Sequence, residues 1–326
     1  MSEKRHAQRP HISVVAPCYN EEANLAEFYR RVRKVCRDVA GDSYEIVVVD
    51  DGSADNTWAT MQLLSNDDPH VVAVKLSRNY GHQLALSAGL SVCAGERILI
   101  IDADLQDPPE LLPQMMARLD AGGDVVYGQR MGREGETWFK RGTAKFFYRL
   151  LRRLVDIEIP LDTGDFRLIS RRVLDVLNAM PEQHRFVRGM VSWIGLRQES
   201  LPYRREARYA GETKYPLSKM VRFAVDAITG FSIRPLRMAS YLGGIAGVFG
   251  ILLLVYVLIS WLSGATVAGW TSLMVIVLIL GSVQLFVIGL LGEYLGRLYM
   301  ESKRRPLFVI DSVVRGDIAN PKPESV

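Results

Sequence analysis

Cysteine is scarce in this chain. Cys18, Cys36 and Cys93 are the only three among 326 residues, with no Cys-x-x-Cys pair and no Cys/His zinc spacing. That excludes a disulfide framework and a structural zinc module, and it suits a reducing compartment. Residues 1–10 are polar and basic without an apolar stretch, so no signal peptide is expected and these residues read as a disordered basic tail. The net charge of +4 is small and dispersed, and no nucleic-acid-binding signature is present, so nucleic acid is not an expected partner. Internal repeats and low-complexity tracts are also missing. The largest deficit is local: the 55 residues from Met238 to Gly292 contain no Asp, Glu, Lys, Arg or His. A purely soluble protein does not carry such a run. A wholly membrane-embedded one would not place 40 basic and 36 acidic residues elsewhere.

One bilayer crossing needs about 20 apolar residues, so the uncharged run is long enough for two. It breaks at Ser263-Gly264-Ala265-Thr266, giving expected spans over 239–262 and 267–292, with Trp261 and Trp270 near the break. Arg234 and Arg237 precede the run, and Arg297, Lys303, Arg304 and Arg305 come after it. Basic residues at both outer ends place both termini and the preceding domain on the cytoplasmic side. The expected division is a soluble domain over 11–212, juxtamembrane interfacial helices over 213–237, the hairpin over 238–292 and a cytoplasmic tail over 293–326. Trp138–Val155 combines an apolar stripe (Phe139, Phe146, Phe147, Leu150, Leu151, Leu154) with six basic residues and no acidic one. This favours a helix lying on anionic lipid, although packing on the domain would explain the stripe alone.

The first 130 residues alternate short apolar runs with helix-compatible stretches. Strands are expected at 12–16, 45–49, 71–76, 97–101 and 124–127, and helices at 21–39, 81–93 and 109–120. Such alternation specifies an α/β fold, a mainly parallel Rossmann-like sheet with helices on both faces. Ligands of these sheets bind outside the carboxyl ends of the strands.

Three expected strands end there in polar clusters. Asp102-Ala103-Asp104-Leu105-Gln106 comes directly after the fourth strand, and two carboxylates at this spacing can converge on a divalent cation once the chain leaves strand geometry. Hard oxygen donors select Mg²⁺ or Mn²⁺, which also bind phosphate. Asp50-Asp51-Gly52-Ser53 ends the second strand. Gly52 permits a tight turn, Ser53 or Asp55 can cap the next helix, and one of Asp50 and Asp51 is a candidate acceptor for a nucleotide. Pro17-Cys18-Tyr19-Asn20-Glu21 ends the first strand: Tyr19 can stack on a base and Glu21 can accept from its N–H groups.

These segments, with Asn79–His82 (NYGH), Gly128–Arg130 (GQR), Asp162–Arg167 (DTGDFR) and Gly211–Tyr215 (GETKY), resemble glycosyltransferase family 2 in order and spacing. Together with the hairpin and Gly292–Arg297, the chain is similar to the polyprenyl-phosphate glycosyltransferases, particularly the bacterial bactoprenol glucosyltransferases and more distantly the dolichol-phosphate mannose synthases. The resemblance implies a GT-A catalytic domain in the bacterial inner membrane and inverting transfer of a hexose, glucose, from a UDP-linked donor to polyprenyl phosphate. It implies that Pro17, Tyr19, Glu21, Asp50 or Asp51, Asp102, Ala103 and Arg130 hold the nucleotide sugar. Asp104 and Gln106, with Asp102 at the ribose or the metal, would hold Mg²⁺ or Mn²⁺. Arg208 and Lys214 would meet the lipid phosphate or diphosphate, although Arg204, Arg205 and Arg208 lie close enough together that several could merely face headgroups. Asp165 takes the base-like role, with orientation of Arg167 as its structural alternative. An acceptor phosphate is already anionic near neutral pH, so a base matters less than positioning.

A processive polysaccharide synthase would carry a Gln-x-x-Arg-Trp pentapeptide and more spans; neither is present. Mannose, N-acetylhexosamine or aminoarabinose remain open as the sugar. A non-catalytic adaptor or a flippase component is disfavoured by the intact acidic motif and by spans without internal charge. Two spans per chain leave a homo-oligomer open.

Overall fold

Strands β1 (Ile12–Cys18) and β2 (Tyr44–Asp50) are buried at every position. A strand without an exposed face needs cover on both sides, and this pair accordingly lies inside the sheet. The computed structural model describes residues 9–131, 160, 163–205, 232–264 and 269–316. The chain divides into two compact units, one around a sheet and one around two long helices.

The sheet has eight strands in the order β7-β5-β6-β4-β1-β2-β3-β8. β3 (Val71–Leu76) and β4 (Arg97–Ile100) flank the central pair in parallel. Beyond β4, β6 (Thr163–Ser170) runs antiparallel between β4 and β5 (Val125–Arg130), and β7 (Gln198–Tyr203) returns parallel to β5. The sheet is therefore parallel at its centre and mixed towards its edges. Its last strand, β8 (Ile310–Arg315), is antiparallel to β3. By sequence, residues 293–326 read as a tail. The structure instead gives 293–302 to a helix and puts 310–315 in the sheet. The sequence hides this strand because it is a half-exposed edge of alternating character, with no continuous apolar run.

Helices cover both faces. Alternate residues of β1 and β2 (Val14, Ala16, Ile46, Val48) share one core with Leu25, Phe28 and Val32 of α1 (Glu22–Ala40). Met61 of α2 (Thr57–Asp67) and Met115 of α4 (Leu112–Asp120) join that core. On the opposite face, α3 (His82–Val92) packs on β1 and β2, and α5 (Arg171–Ala179) packs beside it, with α6 (Val187–Ile194) next in the chain. Contact of α3 with the sheet is close at Gly89. A Cβ there would lie 2.5 Å from Val15 Cγ1 and 2.9 Å from Val49 Cγ2.

In the second unit, α7 (Arg234–Leu262) and α8 (Trp270–Ser302) pack against each other. Within Arg234–Ser260 and Val275–Ser302, 18-residue windows have a mean hydropathy of 2.6 and hold no residue buried by protein. At 1.5 Å per residue each helix is over about 40 Å long, enough to cross a bilayer. The apolar faces, among them Ile245, Leu252 and Phe286, are exposed as lipid-facing residues must be. Tyr294 Oη donates to the Ser232 carbonyl at 2.7 Å, tying the end of α8 to the approach to α7. The expected interfacial helix at 138–155, most of the juxtamembrane stretch 213–237 and the turn residues Ala265 and Thr266 lie outside the described residues.

The tight α3 contact yields a stability prediction. Gly89→Val forces bulk into a packed interface, and overpacking of this kind costs about 1–3 kcal/mol. Denaturant unfolding of the detergent-solubilised protein, followed by tryptophan fluorescence, is expected to show a lower midpoint with an unchanged slope.

Candidate active site

The carboxyl ends of β1, β2 and β4 are where the chain leaves apolar strands for polar loops. The first two loops are laced together. Asn20, at φ 55°, donates its N–H to Ser53 Oγ (3.0 Å) and accepts from Ala54 N–H at Oδ1 (2.9 Å). Glu21 N–H donates to Thr57 Oγ1 (2.9 Å), and Glu21 Oε2 accepts from Asn24 Nδ2 (2.5 Å). Asp55 accepts from Glu22 N–H (3.3 Å) at the start of α1 and from Thr57 N–H (3.0 Å) at the start of α2. Asp55 thus accepts from the first N–H of the second helix, whose N-cap is Asn56, while Ser53 serves the first loop. Tyr19 is left half-exposed beside this lacing, while Pro17 is buried in β1.

Asp50 and Asp51 take separate tasks. Asp50 is buried and accepts from Ser53 N–H at 3.0 Å, closing its own turn. Asp51 reaches the loop after β3, accepting from Tyr80 N–H (2.7 Å) and Gly81 N–H (2.9 Å). Burial raises its pKa despite those two donors. Gly52, at φ +69°, allows the approach: a Cβ there would sit 2.6 Å from Asn79 N. The latch fixes Gly81, and therefore His82, the first residue of α3.

Four carboxylates meet in front of β4. Asp102 and Asp104 come from the acidic loop, Asp107 from its far end and Asp165 from β6. Within the loop, Ala103 is buried, Leu105 adopts φ 60° and Gln106 N–H donates to Asp104 Oδ1 at 3.1 Å. A buried non-glycine residue in the left-handed region is strain of the kind held at functional loops. The four acids form two groups, each with its own cations. His82 Nε2 lies 3.3 Å from Asp165 Oδ2 and 3.5 Å from Asp102 Oδ1. Gln83 Nε2 donates to Asp165 Oδ2 at 2.8 Å, and Arg188 of α6 approaches Asp165 Oδ1 at 3.5 Å. Around Asp107, Tyr203 donates its hydroxyl to Oδ1, Arg205 Nε lies 3.4 Å from the same oxygen, and Arg130 Nη2 lies 3.9 Å from Oδ2. Arg205 also reaches Asp104 Oδ2 at 3.9 Å.

This electrostatic arrangement separates the acids chemically. Burial raises Asp102 to about 6, helped by the charges of Asp165, Asp107 and Asp104 and only partly countered by His82. Burial would raise Asp165 as well, but the hydrogen bond from His82 and the charges of Arg188, Arg167 and His82 hold it well below the usual carboxylate range. A carboxylate so strongly held ionised is a weak proton acceptor. Its backbone carbonyl also accepts from Arg167 Nε at 3.3 Å, and Arg167 is buried, with its pKa brought down to about 10 by burial. His82 goes the other way. Burial would lower it, but the hydrogen bond to Asp165 and the charges of Asp102, Asp165 and Asp51 raise it to about 9.

The donors of the acidic loop fit a hard divalent cation. Oδ1 of Asp102 and Oδ2 of Asp107 are buried without hydrogen-bond partners, and carboxylate and amide oxygens are the donor types that Mg²⁺ and Mn²⁺ take. Among the described residues no three acidic, His or Cys side chains form a closed cage. Diphosphate and water oxygens complete such sites in nucleotide enzymes, so a partial protein shell is compatible with one.

The fold brings Asp102, Ala103, Asp104, Gln106, Arg130 and Asp165 to one edge, with Pro17 and Asp50 at the ends of β1 and β2 and Tyr19, Glu21 and Asp51 just beyond them. Arg208 and Lys214 lie outside the described residues. Sequence reasoning assigns no role to His82, Gln83, Asp107, Arg188 or Tyr203, and it reads Arg205 only as a residue that could face headgroups. His82 and Asp107 sit inside recognisable motifs and are within its reach. Arg188 and Tyr203 carry no local signal, since only tertiary pairing brings α6 and β7 to the acidic loop.

Comparison with known proteins places this architecture. The family model for Glycosyl transferase family 2 matches residues 13–177, and that for the GtrB C-terminal hairpin matches residues 234–298. The chain is 46% identical to the uncharacterized glycosyltransferase YkcC of Bacillus subtilis (strain 168) over 307 residues, covering 94% of each. It is 39% identical over 306 residues to a prophage bactoprenol glucosyl transferase homolog of Escherichia coli (strain K12), covering 93% of this chain and 99% of that protein. A bactoprenol glucosyl transferase of Shigella phage SfV is 39% identical over 303 residues, 92% of this chain and 97% of that protein.

The raised His82 pKa predicts a pH-dependent stability. Between its ordinary value of 6.5 and about 9, the folded state holds a proton that the unfolded state has lost. The contribution of His82 is therefore complete below pH 6.5 and lost as pH rises through about 9. Thermal unfolding midpoints are expected to fall across that window in the native protein and to fall less in His82→Gln.

Proposed function

The chain belongs to glycosyltransferase family 2, and from that premise we propose that it transfers glucose from UDP-glucose to a polyprenyl phosphate, with inversion at the anomeric carbon. The observation that carries this reading is one strand edge holding Asp102, Asp104, Asp107 and Asp165 among four cationic side chains, in a chain that also has a membrane hairpin. An edge with fixed charges of both signs suits a reaction in which two phosphate groups approach each other. The words bactoprenol and glucosyl in the names of the relatives at 39% identity support the lipid acceptor and glucose as the sugar.

In this reading, Tyr19 offers its ring face to the base, with Pro17 and Glu21 completing the base-binding loop. Asp50 and Asp51 shape the nucleoside side through the turn and the latch they hold, and Ala103 keeps the acidic loop close to the ribose. Asp104 and Gln106, with Asp102, hold Mg²⁺ or Mn²⁺. When bound, that ion supplies Lewis-acid neutralisation of the leaving diphosphate. Arg130 and Arg205, gathered by Asp107, stand beside the same loop and add positive charge for phosphate oxygens. Asp165 acts as a fixed negative charge rather than as a strong base, which suits an acceptor whose attacking oxygen is already ionised. Arg208 and Lys214 are assigned to the lipid phosphate.

The hairpin serves the acceptor. A polyprenyl tail stays in the bilayer and its phosphate at headgroup level, so the catalytic unit must be held at that surface. Strand β8 comes after the hairpin in the chain yet pairs with β3, which precedes it. A chain that crosses twice can rejoin the sheet it left, and the basic residues at both outer ends support the cytoplasmic face of the bacterial inner membrane.

The test is a panel of radiolabelled nucleotide sugars (UDP-glucose, UDP-N-acetylglucosamine, GDP-mannose) given to solubilised protein with undecaprenyl phosphate. The readout is label extracted into organic solvent. We expect label from UDP-glucose alone, its loss with EDTA, and its recovery on adding Mn²⁺ or Mg²⁺. Asp104→Asn is expected to lower turnover by about 100-fold or more, the scale of losing several kcal/mol of charge stabilisation. Product formation untouched by EDTA would remove the metal from the mechanism. Label carried by another sugar would keep the acceptor and correct the donor.

A further inference from the structure

The hairpin carries one polar group that the strand edge does not use. In the uncharged run from Met238 to Gly292, Gln284 is the one residue with an amide side chain. The hydroxyls of Ser240, Ser272 and Ser282 donate to carbonyls of the preceding turn, at 3.2, 2.8 and 2.7 Å. An amide is not satisfied that way, because its oxygen needs a donor and the N–H groups inside a helix are already spent on the ladder. Gln284 has no hydrogen-bond partner among the described residues, and its side chain is exposed. Depth removes water as the partner. Gln284 stands nine residues before Glu293 and fourteen after Trp270. Those are about 14 Å and about 21 Å along α8, near the middle of a hydrocarbon layer about 30 Å thick. An unmet amide there is costly, and the headgroups are out of its reach.

Two seams run along α8. Ile276, Leu280, Val283, Val287 and Leu290 are half-buried, as the contact of α8 with α7 requires. On the neighbouring face, Val277, Gly281, Gln284, Ile288, Leu291 and Leu295 repeat with the same alternation of four and three residues. The five side chains of this second seam are exposed, and a Cβ on Gly281 would meet nothing within 4 Å. A period of 3.5 residues is the one at which another helix packs in a left-handed pair. A glycine one turn from the amide lets its backbone come close.

The partner that covers this seam must bring a polar group to the same depth. A polyprenyl tail is hydrocarbon and brings none. A second copy does so by symmetry, since rotation about the membrane normal keeps every residue at its own depth. We propose that the second seam of α8 is a self-association surface, on which two copies of this chain pair and Gln284 exchanges hydrogen bonds with the partner subunit's Gln284. Each amide donates one N–H to the other's oxygen, which meets the need of both. The pairing rests on the hairpin crossing the bilayer and is independent of which sugar is transferred. The same rotation keeps both catalytic units on one side of the membrane.

Oxidative cross-linking of the full chain in membranes tests the surface. The native chain, whose three cysteines are buried, is the blank. Gln284→Cys and Ile288→Cys are expected to give a disulfide-linked dimer. Ile279→Cys and Phe286→Cys, on the far side of α8, are expected to stay monomeric. Sedimentation of the detergent-solubilised protein over a range of concentrations then tests the amide. Gln284→Leu suits hydrocarbon and leaves insertion intact, and its dimer is expected to dissociate about tenfold more readily than the native one, the scale of an interhelical amide pair. Gln284→Asn, which keeps the amide, is expected to recover part of that loss. Equal cross-linking from both sides of α8, cross-links only to a different protein, or a native dissociation constant in Gln284→Leu would each overturn the pairing. Release of the native chain from membranes by alkaline carbonate would overturn the hairpin reading first, a failure distinct from that of the pairing.

Discussion

Carboxylates crowded at the dry end of a sheet repel one another, and burial makes each charge more costly still. The character of this strand edge comes from how that repulsion is met. Asp165 is fixed between His82, Gln83 and Arg188, and Asp107 between Tyr203, Arg130 and Arg205. Asp102 shares His82 with Asp165 and has less compensation, so burial drives its pKa up to about 6. The same cluster of oxygens would reward a divalent cation. Binding energy is thus stored as unmet charge.

Holding such a cluster requires rigid loops, and the fold obtains rigidity by making loops cap one another. Asp55 serves the first turns of both α1 and α2, Asn20 and Ser53 bridge the same two loops, and Asp51 carries the lacing across to α3. Each bond is an ordinary one worth about 0.5–1.5 kcal/mol, somewhat more where a carboxylate accepts. Their joint effect is positional. The carboxyl ends of three parallel strands become one surface, with His82 delivered to it from the start of α3.

The membrane hairpin imposes a second constraint, on the path of the chain. A single span would leave its N-terminal and C-terminal flanks on opposite sides of the bilayer. Here Val72–Leu76 pairs with Ile310–Arg315 across the intervening hairpin, so the C-terminal strand closes an otherwise open sheet edge. Ser65 Oγ donates within reach of the Val71 and Val314 carbonyls (3.0 and 3.1 Å), binding α2 to that closure.

Much of this is legible in the sequence. Continuous apolar runs such as Ile46–Val49 and Val71–Val74 announce central strands because strands buried on both faces tolerate few other residues. The uncharged run Met238–Gly292 announces a hairpin because charge is expelled from hydrocarbon. Acidic Asp102-Ala103-Asp104 after a strand announces an oxygen-rich site for the same local reason. Strand β8 is not legible, because an edge strand that alternates buried and exposed residues looks like a polar tail. Nor are the partners of the acids. The sequence by itself determined the central strands, the hairpin and the acidic loop, since each depends on neighbours within a few residues. Only the tertiary structure decided that Asp51 latches a loop 29 residues away, and that His82 and Arg188 hold Asp165 ionised while Asp102 stays poorly compensated. Electrostatic energy depends on distance in space, and sequence separation carries almost no information about that distance.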